Sequence, residues 1–197
     1  GMKPLRALEM ADALGGFLDS CQLEEVPDLS RIAGLAEQDL AAHWQDSARF
    51  LGLAVEAWPK RLAALGLVDP AWRRATLLRR LAEAWDARPP QQPVIAAGST
   101  GTVPAAADVL AAVAQAPQGV VVLPGLDLDL ADGVWDRIDD QHPQAALKAL
   151  LARAEVSRDQ VRPWFKPAVE PRIEARGLAR QRLINEALRP AEATDDW

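Results

Sequence analysis

Tyrosine is absent from the 197 residues, cysteine occurs once and histidine twice. The single cysteine, Cys21, excludes an intrachain disulfide and a cysteine-built metal site. With so few histidines, a Ser-His-Asp set can be composed only on paper, from Ser99, His142 and Asp127, and no G-x-S-x-G elbow surrounds Ser99. No apolar run approaches the ~20 residues that a membrane helix needs. No charged-then-apolar leader marks the chain for secretion, so a cytoplasmic location is expected and no membrane partner. Positive charge is also short. The 22 Lys and Arg against 28 Asp and Glu leave a net charge of −6, which opposes nonspecific nucleic-acid binding by the chain as a whole, although a local basic face stays open. Gly1 before Met2 reads as the remnant of a cleaved tag, which hints at a segment of something longer.

What is present is the composition of a globular domain, 49% apolar and 25% charged with seven tryptophans. The N-terminal part, residues 2–88, reads as a helical unit. Leu5, Leu8, Ala11, Leu14 and Leu18 recur at three- and four-residue spacing, which predicts an amphipathic helix ending before Pro27. A longer stripe, Leu40, Trp44, Ser47, Leu51, Val55, Trp58, Leu62 and Leu65, predicts a second helix with a kink or restart at Pro59. Asp69 as N-cap and Pro70 in the first turn open a third, with Trp72, Ala75, Leu78, Ala82 and Trp85 as its buried face. Trp44, Trp58 and Trp72, fourteen residues apart, read as core.

The tract "ARPPQQP" closes this unit and the pattern changes. Over residues 93–130, "VIAA" and "VVVLPG" are short β-branched runs flanking an alanine-rich helix, which predicts a β-α-β element of two parallel strands buried on both faces. Helices return over residues 131–190, near 131–138, 143–154 and 157–162 and in a last one ending at Pro190. An acidic tail follows at 191–197. The fold class is thus α/β, mostly helical, around an incomplete parallel P-loop-like sheet. Two parallel strands cannot cover both faces and both edges, so the remaining strands are expected in flanking sequence.

Three stretches invite chemistry. The loop Ser99, Thr100, Gly101, Thr102 after Gly98 sits between strand and helix, with Thr102 placed to N-cap the helix near Val103 and Pro104. A working P-loop needs the lysine of G-x-x-x-x-G-K-[ST] and a magnesium-binding hydroxyl. This loop has neither that length nor the lysine, so a structural turn is preferred and the four residues stay weak anion-site candidates. The acidic run Asp127, Asp129, Asp132, Asp136, Asp139, Asp140 and His142 fails the EF-hand register, since Ala131, Asp132 and Ile138 fall where an oxygen ligand, glycine and glutamate belong. It reads as solvation and helix capping, with His142 in a turn and no metal or cofactor expected. Arg172, Arg176 and Arg180, at i, i+4 and i+8 with Arg182 and Arg189 nearby, are weak nucleic-acid candidates. A solvated face paired with Glu174 and Glu186 is the competing reading.

Several long runs in order carry a family resemblance. "DLAAHWQDSARFLGLAVEAWPKRLAALGLVDPAWRRATLLRRLAEAW", "PVIAAGSTGTVPAAADVLAAVAQAPQGVVVLPGLDLDL", "HPQAALKALLARAEVSRDQVRPW" and the closing "RQRLINEALRPAEATDDW" resemble the alphaproteobacterial type of AddB subunit. That subunit belongs to the AddAB helicase–nuclease, which processes DNA double-strand breaks for recombinational repair. The resemblance implies an internal piece of the subunit's N-terminal, helicase-like half, in which most motor motifs are degenerate, with an AddA-type subunit and DNA as partners. If Thr102 and Pro104 are set on the Thr-x-Pro of UvrD-type motors, the magnesium-binding acidic pair falls on Ala97 and Gly98. The second strand then closes at Leu123, Pro124 and Gly125. The family's nuclease centre and iron–sulfur cysteines would lie outside this segment, so no catalytic residue carries over. Two other readings remain open: a free-standing nucleotide- or phosphate-binding protein using Gly98–Thr102, and a helical protein-interaction module with a Trp44/Trp58/Trp72 face.

Overall fold

The computed structural model describes residues 4–26, 29, 31, 42–163 and 171–193. In chain order they form α1 (Pro4–Leu23), α2 (Ala42–Ala64), α3 (Pro70–Ala87), β1 (Val94–Ala97), α4 (Pro104–Gln115), β2 (Gly119–Val122), α5 (Asp132–Asp136), α6 (Ala145–Arg153) and α7 (Pro171–Ala187). Single 3-10 turns stand at Arg158–Gln160 and Ala191–Ala193. The chain is mostly helical with a two-stranded parallel sheet. Among the described residues no helix is long and apolar enough to cross a membrane. Two compact units divide the chain: Gly1–Leu81 with Val103–Ala106, and Ala82–Thr102 with Ala107–Trp197.

Local chemistry accounts for the helix ends. In the first unit, Asp69 caps α3 as the sequence predicts. Its Oδ1 accepts the Ala71 N–H at 2.9 Å and the Trp72 N–H at 3.4 Å, while Oδ2 accepts Trp58 Nε1–H at 3.1 Å. Three helices stop by one device. Glu25, Gly66 and Glu155 take positive φ. Behind them the amides of Val26, Leu67 and Val156 reach back to the carbonyls of Cys21, Leu62 and Leu151 at 2.9, 2.9 and 3.0 Å. This satisfies carbonyls that the helix end would otherwise orphan. Glutamate at two of these left-handed positions leaves no sequence signature, because glycine is what announces the motif.

Several expectations need correction in the first unit. Helix α2 is continuous from Ala42 through Pro59 to Ala64, so the proline neither restarts nor ends it. Trp58 and Trp72 are not core: they are 42% and 51% exposed. On α3 Ala75 and Ala82 are buried as expected, with Leu78 and Trp85 half-buried, and Ala71 joins them in place of Trp72. Trp72 misses that face because Ala71, one position earlier, takes the inward place. The side chain of Trp44 lies outside the described ones.

In the second unit β1 and β2 pair in parallel with Val94 opposite Gly119, Ile95 opposite Val120, Ala96 opposite Val121 and Ala97 opposite Val122. Ala107 and Leu110 of α4 and Leu150 of α6 pack on Ala96, Val121 and Leu123. The expectation of strands buried on both faces fails. Ile95 and Val120, partners in register, are 62% and 37% exposed, because these helices cover one face and side chains alternate along each strand. Gly119 starts β2 where nothing larger fits: a Cβ there would stand 1.7 Å from the Val113 carbonyl oxygen. A second cluster joins Leu130, Val134 and Ile138 to Ala193, with Trp135 and Ala145 against it. The helix expected at 157–162 contracts to one turn, Arg158–Gln160. Ser157 and Gln160 close it in a capping box, and Pro163 disfavours helical backbone at Arg162.

Candidate functional site

The β1–α4 loop keeps the strand–turn–helix order expected of it. Gly98 and Gly101 both have positive φ, +80° and +67°, a conformation that glycine adopts at no steric cost. The Gly98 amide continues the sheet ladder to the Val122 carbonyl at 3.2 Å, so it points into the sheet and not into the loop. The Gly101 amide is turned onto the Ser99 hydroxyl oxygen at 3.3 Å. Two of the backbone donors that an anion would use are therefore already engaged. Gly101 is also hemmed in: a Cβ there would lie 3.2 Å from both Leu150 methyls and 3.4 Å from the Ala107 Cβ. The glycine serves a close approach of backbone to α6.

Thr102 is not the N-cap. Helix α4 begins at Pro104, and the Val103 carbonyl accepts the Ala106 N–H at 2.9 Å, which puts the cap position at Val103. A valine cap offers no side-chain acceptor, so Thr102 stands one residue too early to satisfy the first turn. Ser99 and Thr102 are exposed, with Thr100 and Gly101 half-buried.

The acidic run after β2 divides between turns and α5, which holds Asp132 and Asp136 and is preceded by Ala131 with no side-chain cap. Asp127, buried, accepts the amides of Asp129 and Leu130 on Oδ1 at 2.9 and 3.0 Å, and Gln181 Nε2 of α7 reaches the same oxygen at 3.4 Å. Gln181 also donates to Asp129 Oδ2 at 3.0 Å. Gln144 binds both sides of the loop, accepting the Asp127 amide and donating to the Gly125 carbonyl. Asp139 Oδ1 accepts the Gln141 amide, and His142 Nδ1 the Gln144 amide at 3.1 Å, which makes His142 the turn residue it was expected to be. Among the described residues no three of His, Cys, Asp and Glu gather as a metal ion requires.

The α7 arginines split. Arg176 and Arg180 are exposed, and the side chain of Arg172 lies outside the described ones. Arg189 meets Glu186 at 3.6 Å, the pairing expected of that stretch, but its side chain is only 13% exposed and not part of a solvated face. In the first unit Cys21 is a buried thiol whose pKa burial pushes up, which keeps it protonated and poorly nucleophilic at neutral pH.

One arrangement escaped the sequence. Trp135 of α5, Lys148 of α6 and Arg158 of the 3-10 turn line an open cleft of about 800 Å³ in the second unit. The Arg158 guanidinium lies 4.8 Å from the centroid of the Trp135 ring. Lys148 Nζ donates to the carbonyls of Trp135, Asp136 and Ile138 at 2.8, 3.0 and 3.4 Å and so caps the C-terminal end of α5. No periodicity links residues 135, 148 and 158, and only the fold brings them together.

Comparison of the chain with protein-family models, with curated proteins and with solved structures finds no match.

Proposed function

We propose that this chain is a non-catalytic scaffold, the helicase-like segment of an AddB-type subunit that supports DNA double-strand break processing beside an AddA-type motor. The observation that carries the non-catalytic part is the β1–α4 loop. It has the order of a nucleotide motor's strand, turn and helix, yet the Gly101 amide is engaged by Ser99 and the helix cap is a valine. On this reading the parallel β1–α4–β2 unit is the relic of a P-loop-like sheet, with Ala97 and Gly98 where an active motor carries its acidic pair. The parallel register and the ladder bond from Gly98 to Val122 support it, and so does the uncovered face at Ile95 and Val120, which further strands and their helices would complete.

The test is twofold. The purified chain is expected to show no magnesium-dependent ATP turnover, and to be retained by an immobilised AddA-type subunit loaded with a DNA end. ATP hydrolysis that disappears when Ser99, Thr100 or Thr102 is changed overturns the scaffold reading in favour of a nucleotide-binding protein. Absence of retention removes the assignment to this complex.

A specific observation also favours the interaction-module reading. Trp58 and Trp72 are half-exposed, and Leu5, Leu8, Leu53 and Leu67 are exposed in the same unit. A partner-binding helical module would present such side chains as one contiguous patch. The two readings share a non-catalytic, contact-making chain and differ in the partner. Capture by the AddA-type subunit decides for the first.

A further inference from the structure

We propose that the cleft between Trp135 and Arg158 is a binding site for an organic anion, a molecule that carries a carboxylate or phosphate on an apolar body. The argument begins with the guanidinium. Its side chain is 12% exposed and lies over the Trp135 ring, which orients its plane and stabilises its charge. One arm, Nη2, meets Asp132 Oδ1, while the other, Nη1, is buried and has no hydrogen-bond partner. A buried donor left without an acceptor is unfavourable, and more so on a charged group. Asp132 offers a poor match to this fork. Its side chain is 94% exposed and its contact is one-armed, where a carboxylate or phosphate can take both arms of a guanidinium at once.

The walls suit the apolar body of such a ligand, and Asp159, a second carboxylate of the lining, confines its anionic group to the Arg158 side. The cleft, at about 800 Å³, is of the size that holds a small organic molecule, with Leu128, Leu151 and Val156 among its apolar walls. Lys148 does not compete for the anion, because its three carbonyl contacts use the three donors of an ammonium group. Asp132 acts as an internal placeholder: it pairs with Arg158 Nη2 until a ligand oxygen takes that arm, and then swings to the solvent to which it is already open.

The experiment titrates the intact chain with benzoate, phenyl phosphate and, as the neutral control, benzamide. It follows heat by calorimetry and the Trp135 indole N–H by NMR, assigned with Trp135→Phe. Saturable binding of benzoate or phenyl phosphate that moves the Trp135 signal, with none for benzamide, is the expected result, and the tighter of the two names the anionic group. Arg158→Met is expected to weaken binding at least about tenfold. Asp132→Asn, which removes the placeholder without touching the cation, is expected to tighten it about two- to fivefold. That gain is the decisive arm if Arg158→Met fails to fold. No saturable binding of either anion to the wild type and to Asp132→Asn, binding that survives Arg158→Met, or equal binding of benzamide overturns the proposal.

Discussion

In the second unit the buried set includes large side chains, Leu110, Val113, Leu147, Leu150 and Leu151, and Leu110 and Leu150 pack against the sheet, although Ile95, Leu178 and Leu183 of the same unit are exposed. In the first unit the buried set is smaller side chains for the most part. Among the described residues there, Leu18, Cys21, Ala71, Ala75 and Ala105 are the buried apolar ones, while Leu5, Leu8, Leu53, Leu67 and Trp72 stand out in solvent. Both units carry amphipathic stripes at helical spacing. The contrast shows that a stripe reports a face that gains by being covered, not which chain covers it. In the second unit helices of the same chain cover one face of the sheet and leave the other open at Ile95 and Val120. In the first unit the described large apolar side chains are mostly exposed, and Leu18 is the one leucine among the buried residues described there.

The sharpest way to test this contrast is with glycines of the second unit. Gly119→Ala drives a Cβ to 1.7 Å from the Val113 carbonyl, so backbone must shift, and a loss of about 4 kcal/mol or more is expected. Gly98→Ala meets no atom within 4 Å and carries only the left-handed penalty at φ +80°, about 1–2 kcal/mol. Urea midpoints followed by far-UV circular dichroism compare the two. If both variants lose equally, the close packing of β2 on α4 is wrong. Next in size is a matched pair of leucines. Leu150→Ala is expected to cost about 2–5 kcal/mol, whereas Leu8→Ala, at a side chain 68% exposed, should change stability by no more than about 0.5 kcal/mol. An equal loss at Leu8 would dissolve the contrast between the units.

How far the sequence led depended on the range of the forces involved. The N-cap at Asp69, the proline starts of α3 and α4 and the β-α-β order are local, and they stand where periodicity and capping rules put them. Trp72 shows the limit. Its spacing from Trp58 fits a buried face, and Ala75 and Ala82 of that face are buried, but at the first turn Ala71 is inward and Trp72 is left outside. The same holds for the sheet: β-branched runs mark strands, while the one-sided cover depends on how many helices pack on them. At the candidate loop, composition already showed the missing lysine. That Ser99 occupies the Gly101 amide needed coordinates. The Trp135–Arg158 cleft had no sequence signal, since a ring–guanidinium stack across two turns leaves no repeat.

A smaller effect is expected at Asp69, the buried polar anchor of the first unit. Asp69→Ala removes the acceptor of the Ala71 and Trp72 amides and leaves Trp58 Nε1–H without its partner. A cap of this kind contributes about 0.5–2 kcal/mol, and the tryptophan bond places the expected loss toward the upper end. Asp69→Asn, which retains an acceptor for the cap, should recover most of it. The Trp58 indole N–H, followed by NMR and assigned with Trp58→Phe, would report the change there. Recovery by Asn that is no better than Ala would mean that charge, not capping, is what Asp69 supplies.

The smallest effect concerns pH and Cys21, buried in α1 of the first unit. Burial raises its thiol pKa in the folded chain above the ordinary value. In the window between the two values the folded state holds the proton that the unfolded state has released. Stability from this group is therefore complete below the ordinary thiol pKa and falls as pH rises through the window. Cys21→Ala has no such group, so the difference in urea midpoint between wild type and variant should shrink with rising pH. A difference that stays flat or grows would show the thiol to be open to water, and would extend to Cys21 the solvent exposure seen for the leucines at the start of the same helix.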